Sequence, residues 1–415
     1  MHPTCSNSSE LPFDCLRIIH KKIDGLTLTK KDFSTIIHAI SCHRLSDVQI
    51  AAFLTACTSN KLSESETIYL TKTMIDVGRR LHWKEKIIVD KHCVGGVAGN
   101  RVTPILVAIV ASAGLIIPKT SSQAITSPAG TADTMGVLTN VALSAEEIHD
   151  VVSKTGGCFA WGGHTDISPV DDLLIQIERK LDLNYDSQLI ASILSKKIAA
   201  GATHVLIDIP VGKDIKVQTR KKALFLKSHF EAVSRSFGLN VHIMISNGNT
   251  PIGNGIGPAL EAADVLDVLR NTSSAPRQLK EKACRMANIL FKMVGTKQDA
   301  AQILSSGKAW DKFQEICHAQ GGPLHSIPEA TFQETLHSAE SKKILTISNK
   351  DVIEISKLAG APKHIEAGVY LHVHVGDNVK KGAPLITIHA RTEENLKQAL
   401  IYASKSTMRN GGHSW

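Results

Sequence analysis

Aromatic residues are scarce in this chain: Phe, Trp and Tyr together make up 4% of its 415 residues. A nucleic-acid surface normally interleaves aromatics with clustered Lys and Arg. Here 47 basic residues stand against 39 acidic ones for a net charge of +8, but they are scattered, which suits small acidic molecules better than a polyanion. Paired cysteines are also missing. The eight cysteines occur as singles with no CxxC, so neither a zinc site nor a disulfide framework is signalled, and a reducing cytosol is expected. No apolar run is long enough to span a bilayer. The longest, Ile105–Ile117 between Pro104 and Pro118, reads as a buried helix. The opening MHPTCSNSSELPFD lacks the basic and apolar regions of a signal peptide. No internal repeat or long low-complexity linker is present.

What remains is the composition of an α/β enzyme packed with Ala, Ile, Val and Leu, at 43% hydrophobic residues and a length suited to two or three compact units. Residues 11–80 repeat apolar positions every three or four residues, in FDCLRIIHKKIDG and SDVQIAAFLTACTSN. That period predicts helices, with N-caps at Asp32 and Ser46 and a stop at Gly25. Ile87–His92 reads as a buried strand feeding a glycine loop. His204–Val211, Thr219–Gly238 and Asn240–Ser246 then alternate strand, helix, strand, which argues for a largely parallel sheet covered by helices. Asp171–Ala199 reads as helical again. From about Glu329 the pattern changes to short strands and turns. There HVHVGDNVKKGAPLITIHA has the pattern of biotinyl or lipoyl carriers, which would make Lys380 or Lys381 a modifiable lysine. A plain turn in a β-rich C-terminal domain is the simpler reading.

The densest chemistry lies between Asp90 and Asp133. DKHCVGGVAGN is followed, after an apolar segment, by KTSSQAITSPAGTAD. Both stretches combine glycine, small hydroxyl residues and lysine. Glycine lets backbone N–H groups approach an anion closely, and Ser121, Ser122, Thr126, Ser127 and Thr131 add hydroxyl donors. Lys91 and Lys119 add charge. Ordinary turn chemistry explains Ser122 or Thr126 taken singly, but two such loops around one apolar element read as a phosphate pocket closed from both sides.

KHCVGG at Lys91–Gly96 and SSQAITSPAGTAD at Ser121–Asp133 resemble the phosphate-binding loops of the thymidine/pyrimidine-nucleoside phosphorylases, most closely the branch that includes the AMP phosphorylases. ASILSKK at Ala191–Lys197, IDIPVGKDIKV at Ile207–Val217 and the C-terminal GVYLHVHVGDNVKKGAPLITIHA continue the likeness over most of the chain from about Leu11. The resemblance implies a discontinuous helical domain (11–82 and 167–199), an α/β phosphate-binding domain with a mixed sheet (83–166 and 200–328) and a C-terminal α+β domain of barrel-sandwich type (329–415), with the active site in a cleft. It implies a cytoplasmic homodimer that needs no metal or other cofactor, inorganic phosphate being a substrate. Phosphate falls to Lys91, Cys93, Gly95, Gly96, Ser121, Ser122, Thr126, Ser127 and Thr131. His92 matches the family's active-site histidine, where a neutral imidazole can relay a proton near neutral pH. Arg179, Ser192 and Lys196 match the contacts to the pyrimidine ring, and Lys216 a binding lysine of the nucleotide branch. Ser192 and Lys196 are four apart on a predicted helix and so share a face, although Lys196-Lys197 also reads as a solvated surface pair.

Five positions depart from the pattern. Cys93 stands for serine, Gln123 for arginine, Gly136 for an acidic residue and Gln176 for the tyrosine of thymidine phosphorylases. Asn184 occupies the place of the nucleotide branch's acidic proton donor, with Asp182 and Asp186 nearby. A purine leaving through a ring nitrogen needs an acid, whereas a pyrimidine can spread charge onto its carbonyls opposite cations. The missing acid favours a pyrimidine nucleoside. The loops favour the nucleotide branch, whose extra N-terminal domain this sequence does not contain. Thymidine or a related nucleoside is therefore the expected substrate, with phosphate as co-substrate and neither nucleic acid nor membrane as partner. A nucleoside 5′-monophosphate phosphorylase, a phosphoribosyltransferase on a similar fold, and a non-catalytic phosphate- or nucleotide-binding descendant stay open.

Overall fold

The computed structural model describes residues 11–124, 127–165, 167–183 and 185–409. These form two compact units. One takes in residues up to Asp90, Gly162–Val205 and Leu224–His242; the other comprises Lys91–Trp161, Leu206–Ala223 and the chain from Ile243 onward.

Helices Leu11–Ile23, Lys30–Ser41, Asp47–Ser59 and Glu64–Asp76 open the first unit, and Pro169–Leu181 and Asp186–Ala199 return to it. Side chains fix their starts. Thr29, Ser46 and Ser63 each accept from the N3 amide while Asp32, Gln49 and Glu66 reach back to the cap backbone. Ser46 is the cap its sequence predicts, but Asp32 is the third residue of its box and Thr29 is the cap. The expected helix over Asp171–Ala199 is two helices, because Asp182 turns left-handed at φ 50° and closes the first. Phe33, Ile36, Phe53, Leu54, Leu70 and Leu174 belong to the core, with Phe33 and Phe53 edge to face at 6.4 Å between centroids.

Beneath this core Lys22 donates to Glu66 at 2.8 Å, both side chains being no more than 3% exposed. Burial raises the Glu66 pKa, but the Leu28 amide, Lys22 and the Ser63 amide outweigh it and hold the carboxyl below its ordinary value. Its contribution to stability is therefore full above the ordinary glutamate value of about 4.3 and is lost as pH falls through the depressed one. Lys22→Ala leaves a buried carboxylate unpaired and should cost about 3–5 kcal/mol in urea unfolding at pH 7. That cost should shrink at pH 3.

The second unit contains both glycine-rich segments. The apolar run expected as one helix divides: Val102–Ser112 is helical and buried, Gly114 turns at φ 80°, and Ile117–Ser121 is a strand. That strand pairs in parallel with Gly157–Trp161, Ser121 opposite Trp161. A second sheet has the order Val89–Cys93, His204–Val211, Asn240–Asn247, so the predicted strand before the first loop forms two residues later than expected.

The C-terminal part is an antiparallel sheet in the order Gly255–Ile256, Gly368–Leu371, Pro384–Ala390, Phe332–His337. Strands and turns are only part of it. Helices Asn349–Leu358 and Glu393–Arg409 are also present, and Ile355 and Ala399 share a core with Val369, Ile386 and Ile388. The VKKGA segment is the turn after the short strand Asn378–Val379. The architecture is thus an N-terminal helical bundle, a larger α/β part and a small C-terminal domain with an antiparallel sheet.

Candidate active site

In the second unit, strand Val89–Cys93 delivers Lys91, His92 and Cys93 to the first glycine loop. Gly95 and Gly96 lie at φ 99° and 103°, a conformation side chains resist. A Cβ at Gly95 would meet nothing within 4 Å, whereas one at Gly96 would lie 2.7 Å from Ile215 Cβ and 3.1 Å from the Lys216 amide. The loop therefore presents an open backbone at Gly95 and packs against the Lys216 segment at Gly96. Lys216 itself is exposed.

Lys91 is 2% exposed, and its ammonium donates to Thr103 Oγ1 at 3.2 Å. Burial lowers its pKa; Cys93 and Asp208 push it up, Lys282 and Arg101 push it further down, and the net shift is downward. Asp208, fully buried, accepts from Lys282 at 2.7 Å and from Ser246 at 2.6 Å. Its Oδ2 also accepts from the Cys93 thiol at 3.4 Å. Asn100 Nδ2 donates to the same sulfur at 3.4 Å. Burial first, then Asp208, raises the Cys93 pKa. The thiol thus keeps its proton and directs it at Asp208.

Arg101 joins the two glycine-rich segments. Its guanidinium donates to Thr131 Oγ1 and to the Ala129 carbonyl, both at 2.9 Å, and is held on the other side by an ion pair with buried Glu261. A hydroxyl that accepts from Arg101 still has its own proton to give, so Thr131 remains a donor. Ser127 spends its proton on the Ala129 carbonyl at 2.8 Å. Asp133 Oδ2 accepts from the Ala124 and Gly130 amides at 2.6 and 2.7 Å. Gly130 is required there, since a Cβ would come within 2.7 Å of the backbone at Ser122–Ala124. Ser121 ends its strand half-buried and Ser122 is exposed. Thr126 lies outside the described residues.

Arg101→Ala would leave Glu261 buried and unpaired and cut the bridge between the segments. It should cost about 3–5 kcal/mol of stability. Added phosphate should then raise the melting temperature less than it does in the wild type.

In the first unit, Ser192 and Lys196 converge as their spacing predicts, and the point of convergence is Asp171. Ser192 Oγ donates to Asp171 Oδ2 at 3.0 Å, and Lys196 forms an ion pair with the same oxygen. Burial lowers the Lys196 pKa, but the charge and hydrogen bond of Asp171, with Asp172 and Glu178, more than reverse it. Lys196 stays charged. Lys196-Lys197 is not a solvated pair: Lys197 is 2% exposed and donates to fully buried Asp90 at 2.6 Å. Arg179 stands exposed in the last turn of Pro169–Leu181. Asn184 lies outside the described residues.

Sequence reading missed Arg101, Asp171, Asp208, Glu261 and Lys282. Asp208 had a signal, being the one charge within the apolar strand HVLIDIPV. Lys282 and Glu261 lie on helices far along the chain and had none. Six described cysteines are free thiols, whereas Cys42 is disulfide-bonded, a pairing that no cysteine spacing in the sequence signals. Among the described residues no helix is long and apolar enough to cross a membrane, and no group of three or more His, Cys, Asp or Glu is placed to hold a metal.

The chain matches the family model for the glycosyl transferase family helical bundle domain over residues 16–78 and for the family's a/b domain over residues 85–309. Residues 344–408 match the pyrimidine nucleoside phosphorylase C-terminal domain. A Legionella pneumophila (strain Corby) protein named "putative thymidine phosphorylase" is 48% identical over 394 residues, covering 94% of this chain and 76% of the relative. A protein of the same name from Ralstonia nicotianae is 49% identical over 396 residues, covering 94% and 78%. Among solved structures, anthranilate phosphoribosyltransferase from Thermus thermophilus is similar in fold, with a TM-score of 0.61 at 16% identity, covering 73% of this chain and 99% of that one.

Proposed function

Because the chain belongs to the glycosyl transferase family, we propose that it is a pentosyltransferase working as a nucleoside phosphorylase. Thymidine or a related pyrimidine nucleoside and phosphate become free base and (deoxy)ribose 1-phosphate. The observation that carries this is Lys91. Its buried ammonium stands beside a glycine loop whose backbone is open at Gly95, and Arg101 ties this segment to Thr131 of the second one, a set of donors suited to an anion. Phosphate binds at Lys91 with the Gly95 and Gly96 backbone and the hydroxyls of Ser121, Ser122, Thr126 and Thr131, while Ser127, its proton given to the Ala129 carbonyl, shapes the loop. Cys93 serves by holding Asp208, which in turn anchors Lys282.

Phosphorolysis breaks the C1′–N bond as a phosphate oxygen bonds to C1′. Positive charge grows on the sugar and negative charge on the departing base. Held phosphate answers the first, and Lys196, kept charged by Asp171, answers the second together with Arg179, while Ser192 holds Asp171 in place. His92 bonds the sugar or base and relays a proton. No metal or redox cofactor takes part. The reading includes a cytoplasmic homodimer, testable by sedimentation, and the domain partition 11–82 with 167–199, 83–166 with 200–328, and 329–415.

The packing of the Lys216 segment against Gly96 favours a second reading, a nucleoside 5′-monophosphate as substrate, with Lys216 on its phosphate. Base release should be followed over thymidine, uridine, cytidine and AMP, with and without phosphate. Phosphate-dependent release of a pyrimidine is the expected result, and preference for AMP selects the second reading. Ligand-dependent stabilisation without product would identify a binding protein. Release dependent on pyrophosphate and a divalent cation would identify a phosphoribosyltransferase.

A further inference from the structure

Lys282 lies on the core side of helix Arg277–Met293, three residues after buried Leu279 and four before buried Met286. A charge placed there is costly unless it is paired, and its partner is Asp208 at 2.7 Å. Asp208 belongs to the central strand of the sheet Val89–Cys93, His204–Val211, Asn240–Asn247. Its carboxylate reaches both neighbouring strands, accepting from the Cys93 thiol on one side and the Ser246 hydroxyl on the other. Its carbonyl accepts from the Val94 amide at 2.9 Å. The start of the first glycine loop is thus fastened to Asp208 by main chain and by side chain.

Such an anchor brings a fixed negative charge to a loop suited to an anion. Asp208 is fully buried, and a buried charge is screened far less than one in water. Cys93 and Ser246 are neutral donors, so they orient the carboxylate and leave its charge in place. Lys282 opposes that charge at its source. The two fields are felt in the loop itself: at Lys91, after burial, Asp208 pushes the pKa up and Lys282 pushes it down. They act in opposite senses on the Cys93 thiol as well. Lys282 also donates to Ser246 Oγ at 3.4 Å, which keeps its ammonium on the carboxylate.

Resting on the phosphorylase reading, we propose that Lys282 is a positioning residue for phosphate, which neutralises Asp208 so that this carboxylate can pin the first glycine loop without repelling the anion bound there. Lys282 acts through Asp208 and does not touch phosphate. The pair gives the loop a rigid anchor that is strong because it is ionic and harmless to an anion because its net charge is zero. Removing the cation alone converts the anchor into a repulsive charge. Removing both charges takes the repulsion away again.

The test is calorimetry with inorganic phosphate, alongside phosphorolysis kinetics, on the wild type and three variants. Lys282→Met leaves Asp208 charged, and phosphate affinity should fall about 10- to 100-fold. The loss should appear in KM for phosphate rather than in kcat, while KM for uncharged uridine holds. Lys282→Met/Asp208→Asn removes both charges, and phosphate affinity should return to within about threefold of the wild type. A double variant as weak as Lys282→Met overturns the proposal, since Lys282 then touches phosphate or merely holds the fold. Equal losses for phosphate and uridine overturn it too. Should Lys282→Met not fold, Asp208→Asn decides. Its phosphate affinity should match or exceed the wild type's, and a loss of about tenfold or more overturns the proposal. Calorimetry answers whether or not nucleosides are cleaved. A wild type that binds phosphate but cleaves no nucleoside removes the phosphorylase reading alone, and one that binds no phosphate removes both.

Discussion

Lys91→Ala should abolish saturable dependence on phosphate while leaving the protein folded. A lysine–phosphate contact is charge-assisted and forms in a site from which water is largely excluded. Removing it should cost ~2–4 kcal/mol, or about 30- to 1000-fold in kcat/KM for phosphate. The variant should also lose the upward shift in melting temperature that phosphate gives the wild type. Undisturbed phosphate kinetics in a folded Lys91→Ala protein would dismiss the phosphate assignment.

Lys196→Ala should depress kcat/KM for thymidine or uridine by ~30- to 1000-fold, because a cation opposite a developing anion acts chiefly in the transition state. This variant also exposes a structural cost. Asp171 is 0% exposed, so removing Lys196 leaves a buried carboxylate with only Ser192, worth about 3–5 kcal/mol of stability. The double variant Lys196→Ala/Asp171→Asn separates the effects: most of the stability should return and the activity should not. Asn184→Asp should change pyrimidine turnover little but raise turnover of AMP if a purine nucleotide is the substrate, since it restores an acid that a purine leaving group needs. A wild type that prefers AMP, with Lys196→Ala harmless, would remove the pyrimidine reading and turn attention to Asp182 or Asp186.

Local rules gave much of this. The helix start at Ser46 follows from a hydroxyl cap and its N3 partner, and strand His204–Val211 follows from a β-branched and apolar run broken only by Asp208. Where two local rules competed, packing chose. Ile105–Ile117 is apolar but for Ser112, a pattern shared by buried helices and buried strands, and only the turn at Gly114 with pairing against Gly157–Trp161 divides it. The left-handed Asp182 is similar, because aspartate tolerates that conformation without announcing it.

By itself the sequence determined the family, the two glycine-rich segments and the Ser192/Lys196 face. Each depends on residues close together in the chain, where spacing and backbone chemistry suffice. The tertiary structure decided what those residues are bound to. It bridged the segments through Arg101 and Glu261, residues 160 apart in sequence, set Asp208 between Cys93 and Lys282, and made Asp171 the holder of Lys196. Charges that must be neutralised away from water take whichever partner the fold brings near, and that partner's place in the chain carries no local signal.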